Sequence, residues 1–116
     1  MTSYELAKTC AKALSDKKGK DILILSVADQ TIVCSYFVIA SGSSTTQVRA
    51  LAESVEEAAE KAYALSPVRT EGLREGRWGV IDFGDVVVHV FHDESRLFYN
   101  LERLWDGGSN VERYED

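Results

Sequence analysis

Cysteine and proline are scarce in this chain of 116 residues, which has two cysteines and one proline. Cys10 and Cys34 form no Cys-x-x-Cys pair and are too few for a disulfide framework. We therefore predict that both are small buried apolar residues rather than redox groups or metal ligands. With 45% hydrophobic and 28% charged residues, the composition excludes collagen-like, disordered and membrane-spanning classes and indicates a single globular domain.

The chain also lacks an excess of basic residues and any long apolar run. Its 13 basic and 19 acidic residues give a net charge of −6. Nucleic-acid phosphates repel such a chain, so we expect little or no direct, sequence-specific nucleic-acid contact and favour a basic protein as partner. No stretch reaches membrane-spanning length, and residues 1–5 do not resemble a signal peptide. We therefore expect a cytoplasmic protein that does not bind membranes.

The apolar periodicity predicts an α/β fold, with a mixed central sheet flanked by helices. In the first half of the chain we predict a helix over residues 3–14, strands over 21–27 and 36–41, and a helix that begins after Ser44 and runs to about residue 65. In the second half, residues 65–69 lead into a short strand, residues 78–83 and 86–91 form a hairpin, and residues 95–105 form a helix. Ser44 and Gln47 have the spacing of a capping box at the start of the second helix. The final helix presents one apolar side, made of Leu97, Phe98, Leu101 and Leu104. Residues 1–105 thus form one domain, and the acidic residues 106–116 are expected to be a flexible, frayed tail.

The two-residue link Gly84–Asp85 determines which residues of the hairpin face each other. One face is aliphatic and is expected to pack on helices; its predicted pairs are Phe83–Val86, Ile81–Val88 and Gly79–Val90. The opposite face, called here the mixed face, combines aromatic rings with a carboxylate and an imidazole; its predicted pairs are Asp82–Val87, Val80–His89 and Trp78–Phe91. Two interpretations fit the mixed face. Either a second helix covers it, with Asp82 and His89 bonding to local backbone groups, or it is a partly open surface that docks another protein.

A nucleotide site is an alternative function. Gly42–Ser43 before a helix, followed by Asp82 and Asp85, is similar to the layout of polymerase-beta-like nucleotidyltransferases. Such enzymes need two carboxylates two residues apart on one strand face to share magnesium ions, whereas here the spacing is three and Asp85 falls in the turn. His89 and His92 point to opposite faces of an extended segment and cannot bind one metal together. We therefore predict no catalytic residue, no metal site and no cofactor.

Several segments of the chain carry a family resemblance. They are residues 16–22, residues 36–44 with Gln47, Val48 and Ala50, residues 71–72 with 78–91, and residues 96–105. In this order they span about residues 4–105, and the chain resembles the Iojap-like ribosomal silencing factors. The stretch Gly84-Asp85-Val86-Val87-Val88-His89 is the most specific part. Ser26 and Ser35 stand where many members carry aspartate, which leaves open how acidic the surface near the first two strands is.

The resemblance implies a bacterial or organellar protein that binds the large ribosomal subunit through its ribosomal protein fourteen. It implies that the bound protein sterically blocks the small subunit and represses translation under nutrient limitation. It also implies a nucleotidyltransferase-like topology without the active site, and hence a protein that is not an enzyme. An acidic chain suits such a partner, because ribosomal proteins are generally basic.

We expect the partner-binding residues on the mixed face and at its turn. Trp78 is the predicted aromatic anchor, and Asp82 and Asp85 are predicted to accept hydrogen bonds from basic side chains. His89 is a predicted polar contact on the same face. Tyr99 is a further candidate, whose ring in the alternative closes the core. The mixed face would also serve a homodimer of the free protein.

Overall fold

The computed structural model describes residues 1–115, which contain four helices and six strands. In chain order these are α1 (Ser3–Asp16), β1 (Lys20–Ser26), β2 (Tyr36–Gly42), α2 (Thr45–Tyr63), β3 (Arg69–Glu71), β4 (Trp78–Asp82), β5 (Val86–His92), α3 (Asp93–Tyr99), α4 (Leu101–Trp105) and β6 (Val111–Arg113). The first two helices and the strands β1, β2, β4 and β5 agree with their predicted bounds to within two residues. No helix of the described part combines the length and the apolar character needed to cross a membrane.

The six strands form one mixed sheet in the order β3-β4-β5-β2-β1-β6. The central neighbours β2 and β5 run parallel, and the other neighbours run antiparallel. The predicted mixed sheet flanked by helices is confirmed. The hairpin register is also confirmed, because Trp78 pairs with Phe91 and Asp82 with Val87, and the turn closes with a bond from the Phe83 N–H to the Val86 carbonyl.

Both long helices begin at a side-chain cap. The Thr2 hydroxyl accepts from the Glu5 N–H at 3.1 Å, and the Glu5 carboxylate accepts from the Thr2 N–H at 2.9 Å, which completes a capping box. In α2 the Ser44 hydroxyl accepts from the Gln47 N–H as predicted, at 3.0 Å. The Gln47 side chain, however, accepts from the N–H of Ser43, one residue earlier than a capping box requires.

The two faces of the sheet carry separate hydrophobic cores. Helices α1 and α2 cover one face, and the larger core between them and the sheet includes Leu14, Leu51 and Val88. Cys10 and Cys34 are both buried and free, as predicted, and burial raises the pKa of the Cys10 thiol to about 12. The smaller core on the mixed face includes Leu25, Ile39 and Phe91, and it is covered in part by α4.

The predicted final helix is wrong in continuity and in the orientation of its apolar side. Asn100 lies in the left-handed region with φ of 46° and separates α3 from α4. Asparagine tolerates this conformation better than most residues, so it ends α3 and redirects the chain. As a result Leu97, Phe98 and Leu104 are exposed, by 84%, 82% and 74%. Of the predicted apolar side, Leu101 packs against the smaller core.

The prediction of a frayed end beyond residue 105 is wrong for residues 111–113. These residues form β6, which pairs with Leu23–Leu25 of β1 and satisfies backbone groups that would otherwise lie at a sheet edge. The Asn110 amide donates to the Ser26 and Trp105 carbonyls, both at 2.8 Å, and the Tyr114 N–H donates to the Ile22 carbonyl. The sheet therefore extends past the predicted domain boundary.

Candidate docking surface

The mixed face is covered over part of its area and open over the rest. Val87, His89 and Phe91 on β5 are buried, whereas Trp78 and Val80 on the neighbouring β4 are half-buried. The cover comes from α4: the Trp105 ring meets the Phe37 ring edge-to-face, with centroids 5.1 Å apart. A helix thus covers the β2 side of the mixed face, as the first interpretation predicts. The β4 side is accessible, as the second interpretation requires.

Three aromatic rings form a cluster on the accessible side. Trp78 stacks on Phe91 with centroids 4.9 Å apart and an interplanar angle of 28°. Tyr99 from α3 contacts both, at 4.9 Å from Trp78 and 6.5 Å from Phe91. Phe91 is fully buried and Tyr99 is 50% exposed. Tyr99 therefore packs on the core with one side of its ring and remains accessible to a partner.

His89 is buried and holds the Trp78 ring. The Trp78 indole N–H donates to His89 Nδ1 at 3.1 Å, which assigns the proton of the neutral imidazole to Nε2. Nε2 is buried and has no hydrogen-bond partner within residues 1–115. Burial lowers the pKa of His89 to about 4, and the nearby Asp82 carboxylate acts in the opposite direction. The predicted polar contact is thus a buried acceptor that orients Trp78.

The structure separates the two predicted aspartates. Asp82 accepts a hydrogen bond from the Gly84 N–H in the hairpin turn at 2.8 Å. It also forms an ion pair with Arg69 of the neighbouring strand β3 at 3.4 Å. Asp85 accepts from the Ser3 hydroxyl at 3.2 Å, and Ser3 begins α1 on the opposite side of the sheet. Asp82 follows Trp78 by four residues along β4, about 13 Å at the usual rise of a strand. Asp82 thus lies at the far end of β4 from the aromatic cluster. Asp85, which bonds to the start of α1, does not join the cluster either.

The constellation of the alternative nucleotide site does not assemble. In the parallel pair of β2 and β5, Tyr36 lies opposite Val86 and Gly42 lies opposite His92. Gly42–Ser43 and Asp85 thus lie at opposite ends of these strands, about 20 Å apart at the usual rise of a strand. Among the described residues there is no group of three His, Cys, Asp or Glu side chains suited to a metal ion. The alternative prediction of one nucleotide site formed by Gly42–Ser43, Asp82 and Asp85 is therefore wrong.

A groove beside the aromatic cluster was missed by the sequence analysis. It has a volume of about 400 Å³ and lies between the loop preceding β4 and helix α3; it is lined by Gly72, Glu75, Arg77, Trp78, Glu94, Ser95, Phe98 and Tyr99. Gly72 brings the loop close to β4, because a Cβ there would lie 2.0 Å from the Trp78 carbonyl oxygen. The sequence signal that could have indicated this groove is Asn100, which lies inside an apolar helical pattern. Asparagine often ends a helix, and a helix end at this position leaves Phe98 exposed beside the groove.

Comparison with known proteins assigns the family. A family model described as ribosomal silencing factor during starvation matches residues 1–116. The chain belongs to this family. The ribosomal silencing factor RsfS of Bacillus subtilis is 41% identical over 105 residues, which cover 90% of this chain and 88% of that protein. The predicted family resemblance is confirmed.

A solved structure and a relative with a different name agree with this assignment. A crystal structure of a Chromobacterium violaceum protein is similar with a TM-score of 0.89 and 37% identity, and the match covers 100% of this chain and 95% of that one. A mouse protein named mitochondrial assembly of ribosomal large subunit protein 1 is 32% identical over 94 residues, 79% of this chain and 41% of that protein. The family role is regulatory, in translation, and is not a known enzyme activity.

Proposed function

We propose that this chain binds the large ribosomal subunit through its ribosomal protein fourteen and sterically prevents the small subunit from joining. Translation would then be repressed when nutrients are scarce. The observation that carries the proposal is the half-open cluster of Trp78 and Tyr99, bordered by the exposed Phe98, in a member of the silencing-factor family. The name of the mouse relative refers to the large subunit, which supports this choice of subunit.

The physical properties of the accessible surface suit a protein partner. Trp and Tyr are enriched at the energetic centres of protein interfaces, and one side of this cluster is already desolvated on Phe91. The exposed Phe98, whose ring contacts Tyr99, extends the apolar surface beyond the cluster. Steric exclusion requires no catalytic group, only a complex that persists while the small subunit approaches.

The net charge of −6 supports a basic partner and disfavours direct, sequence-specific contact with ribosomal RNA. In this proposal Trp78 and Tyr99 touch the partner, and His89 orients Trp78. Asp82 offers a carboxylate on the same face, at the far end of β4, while Asp85 would contact a partner that also reaches the start of α1. We propose that the protein acts in the compartment where ribosomes assemble, the cytoplasm in a bacterial cell.

Co-sedimentation with purified large subunits tests the proposal. Trp78→Ala is expected to reduce binding at least tenfold, because truncating a central aromatic anchor costs more than about 1.4 kcal/mol. Tyr63→Ala on α2 is the matched control, since it also truncates a half-buried aromatic ring, on the opposite side of the sheet. Wild-type affinity of folded Trp78→Ala would contradict a role of this face.

Subunit joining provides the functional measurement. Purified large and small subunits are mixed with an excess of the wild-type chain, and the fraction of joined ribosomes is followed by light scattering. We expect this fraction to fall with the wild type and to stay high with Trp78→Ala. Undiminished joining in the presence of bound wild-type chain would disprove the steric block. If the free chain is a dimer that dissociates on binding, the mixed face also serves self-association.

A further inference from the structure

The groove beside the aromatic cluster has ring faces available to a ligand. Phe98 and Tyr99 meet at 85° with centroids 5.1 Å apart, and they are 82% and 50% exposed. Trp78 lies on the other side of Tyr99, with centroids 4.9 Å apart. Because the face of an aromatic ring carries negative electrostatic potential, rings around one groove attract a cation. Apolar contact alone would not need the charged residues that also line this groove.

Two carboxylates at the groove are not neutralised. Glu75 and Glu94 are exposed, and neither side chain forms an ion pair or a hydrogen bond within residues 1–115. Arg77 is the basic residue among the eight that line the groove, and it forms no ion pair with either carboxylate at 4.0 Å or less. The lining therefore carries one net negative charge, from two carboxylates and one guanidinium.

The neighbouring groove on the other side of α3 shows the contrast. Its charged lining residues are paired: Lys20 with Asp93 at 2.8 Å, Arg96 with Glu102 at 3.1 Å, and Arg113 with Asp21 at 3.4 Å. There the charges link structural elements to one another. The groove next to Trp78 differs, because its two carboxylates have no such partner in the described part of the chain and lie beside exposed rings.

We propose that the groove between the loop preceding β4 and helix α3 receives an arginine or lysine side chain of the partner protein. The stem of that side chain packs against the rings, and its charged end lies between the carboxylates of Glu75 and Glu94. The identification of the partner as a basic protein of the large subunit rests on the proposed function. The recognition of a cationic side chain is tested without it below.

The first experiment measures affinity for purified large subunits at two salt concentrations. Glu75→Gln combined with Glu94→Gln removes both charges and keeps the side-chain shape. We expect this double variant to bind about tenfold more weakly, because the cationic side chain loses its two charged acceptors. Its affinity should also depend less on salt, because fewer charge interactions remain for salt to screen. The control is Glu53→Gln combined with Glu60→Gln, which removes two exposed charges from α2 and should change affinity less than about twofold. Equal affinities of the two double variants would overturn the proposal.

The second experiment uses the full chain and a blocked tripeptide with a central arginine, followed by NMR of the indole N–H of Trp78. Trp105→Phe assigns this signal, since the chain has two tryptophans. We expect a saturable shift with the arginine or the lysine peptide, little shift with the citrulline peptide, and loss of the shift in the double variant at Glu75 and Glu94. No shift, or an equal shift with citrulline, would overturn the proposal.

The two experiments separate failure of the groove from failure of the proposed function. A wild-type chain that does not bind large subunits but shows the arginine-dependent shift contradicts the proposed function and supports the groove. A wild-type chain that binds large subunits as tightly as the double variant, with no shift, supports the function and contradicts the groove.

Discussion

The two faces of the sheet are built in opposite ways. On one face α1 and α2, of 14 and 19 residues, cover an aliphatic core in which Leu14, Leu51 and Val88 are fully buried. On the mixed face α3 and α4, of seven and five residues, cover aromatic rings and a buried imidazole incompletely. The first face therefore supplies more of the stability, while the mixed face leaves rings and charges accessible, as the proposed docking requires.

Truncation of the aliphatic core should have the largest effect. Leu51→Ala is expected to lower the free energy of unfolding by about 4 kcal/mol, because Leu51 is fully buried and its removal leaves a cavity. Chemical denaturation measures this change. Leu97→Ala is the matched control, since Leu97 is 84% exposed and should cost less than about 0.5 kcal/mol. Similar losses for the two variants would contradict the comparison of the faces.

The buried imidazole should make the mixed face sensitive to acid. Burial lowers the pKa of His89 to about 4 from an ordinary value of 6.5, so the unfolded chain binds a proton more readily than the folded one. The free energy of unfolding should therefore fall by up to about 3 kcal/mol as the pH drops from 6.5 to 4, and this contribution should be constant above pH 6.5.

The variant His89→Gln isolates this contribution. It should lose the part of the pH dependence that lies between pH 4 and 6.5, as measured by denaturation at a series of pH values. His92→Gln is the control, because His92 is half-buried at the start of α3. A wild-type profile retained in His89→Gln would assign the acid sensitivity to other groups.

The ion pair between α3 and α4 should have a smaller effect. Arg96 is 8% exposed and donates to Glu102 at 3.1 Å and to the Ser41 hydroxyl at 2.9 Å. Glu102→Gln is expected to cost about 1.5 kcal/mol, because it weakens a charge-assisted bond while leaving Arg96 its other acceptors. Faster amide exchange confined to α4 would accompany it. Glu115→Gln is an exposed control, and an equal cost there would argue against a role of this pair.

The smallest expected effect concerns the start of α2. Ser44→Ala removes the hydroxyl that accepts from the Gln47 N–H and should cost about 1 kcal/mol. Ser43→Ala removes an exposed bond from the Ser43 hydroxyl to the Gln47 side chain, at 2.9 Å. It should cost less, because the Ser43 N–H keeps its own bond to that side chain. Thermal denaturation measures both. The reverse order of the two variants would show that the Gln47 bond, rather than the cap, stabilises this helix start.

The elements that were predictable depend on local interactions. The two-residue turn at Gly84–Asp85 sets the hairpin register, and the Ser44 cap sets the start of α2, because each involves residues close together in the chain. The candidate site was predictable in part: Trp78 and Tyr99 were predicted and lie in contact, but the groove with Glu75 and Glu94 was not predicted. Its two walls are about twenty residues apart in the chain, and no local pattern joins them.

The family was predictable from motifs that run along the chain. Most helices and strands, and the alternation that separates an aliphatic from a mixed face, were predictable because periodicity and turn geometry act over a few residues. Three features became visible in the folded chain alone: Gly42 and Asp85 lie at opposite ends of their strands, β6 pairs along the β1 edge, and Phe98 faces outward after the break at Asn100. These outcomes depend on which strands become neighbours in the sheet and on how much of the mixed face the short helices α3 and α4 can cover. Such non-local packing is settled by the whole chain rather than by any one segment of it.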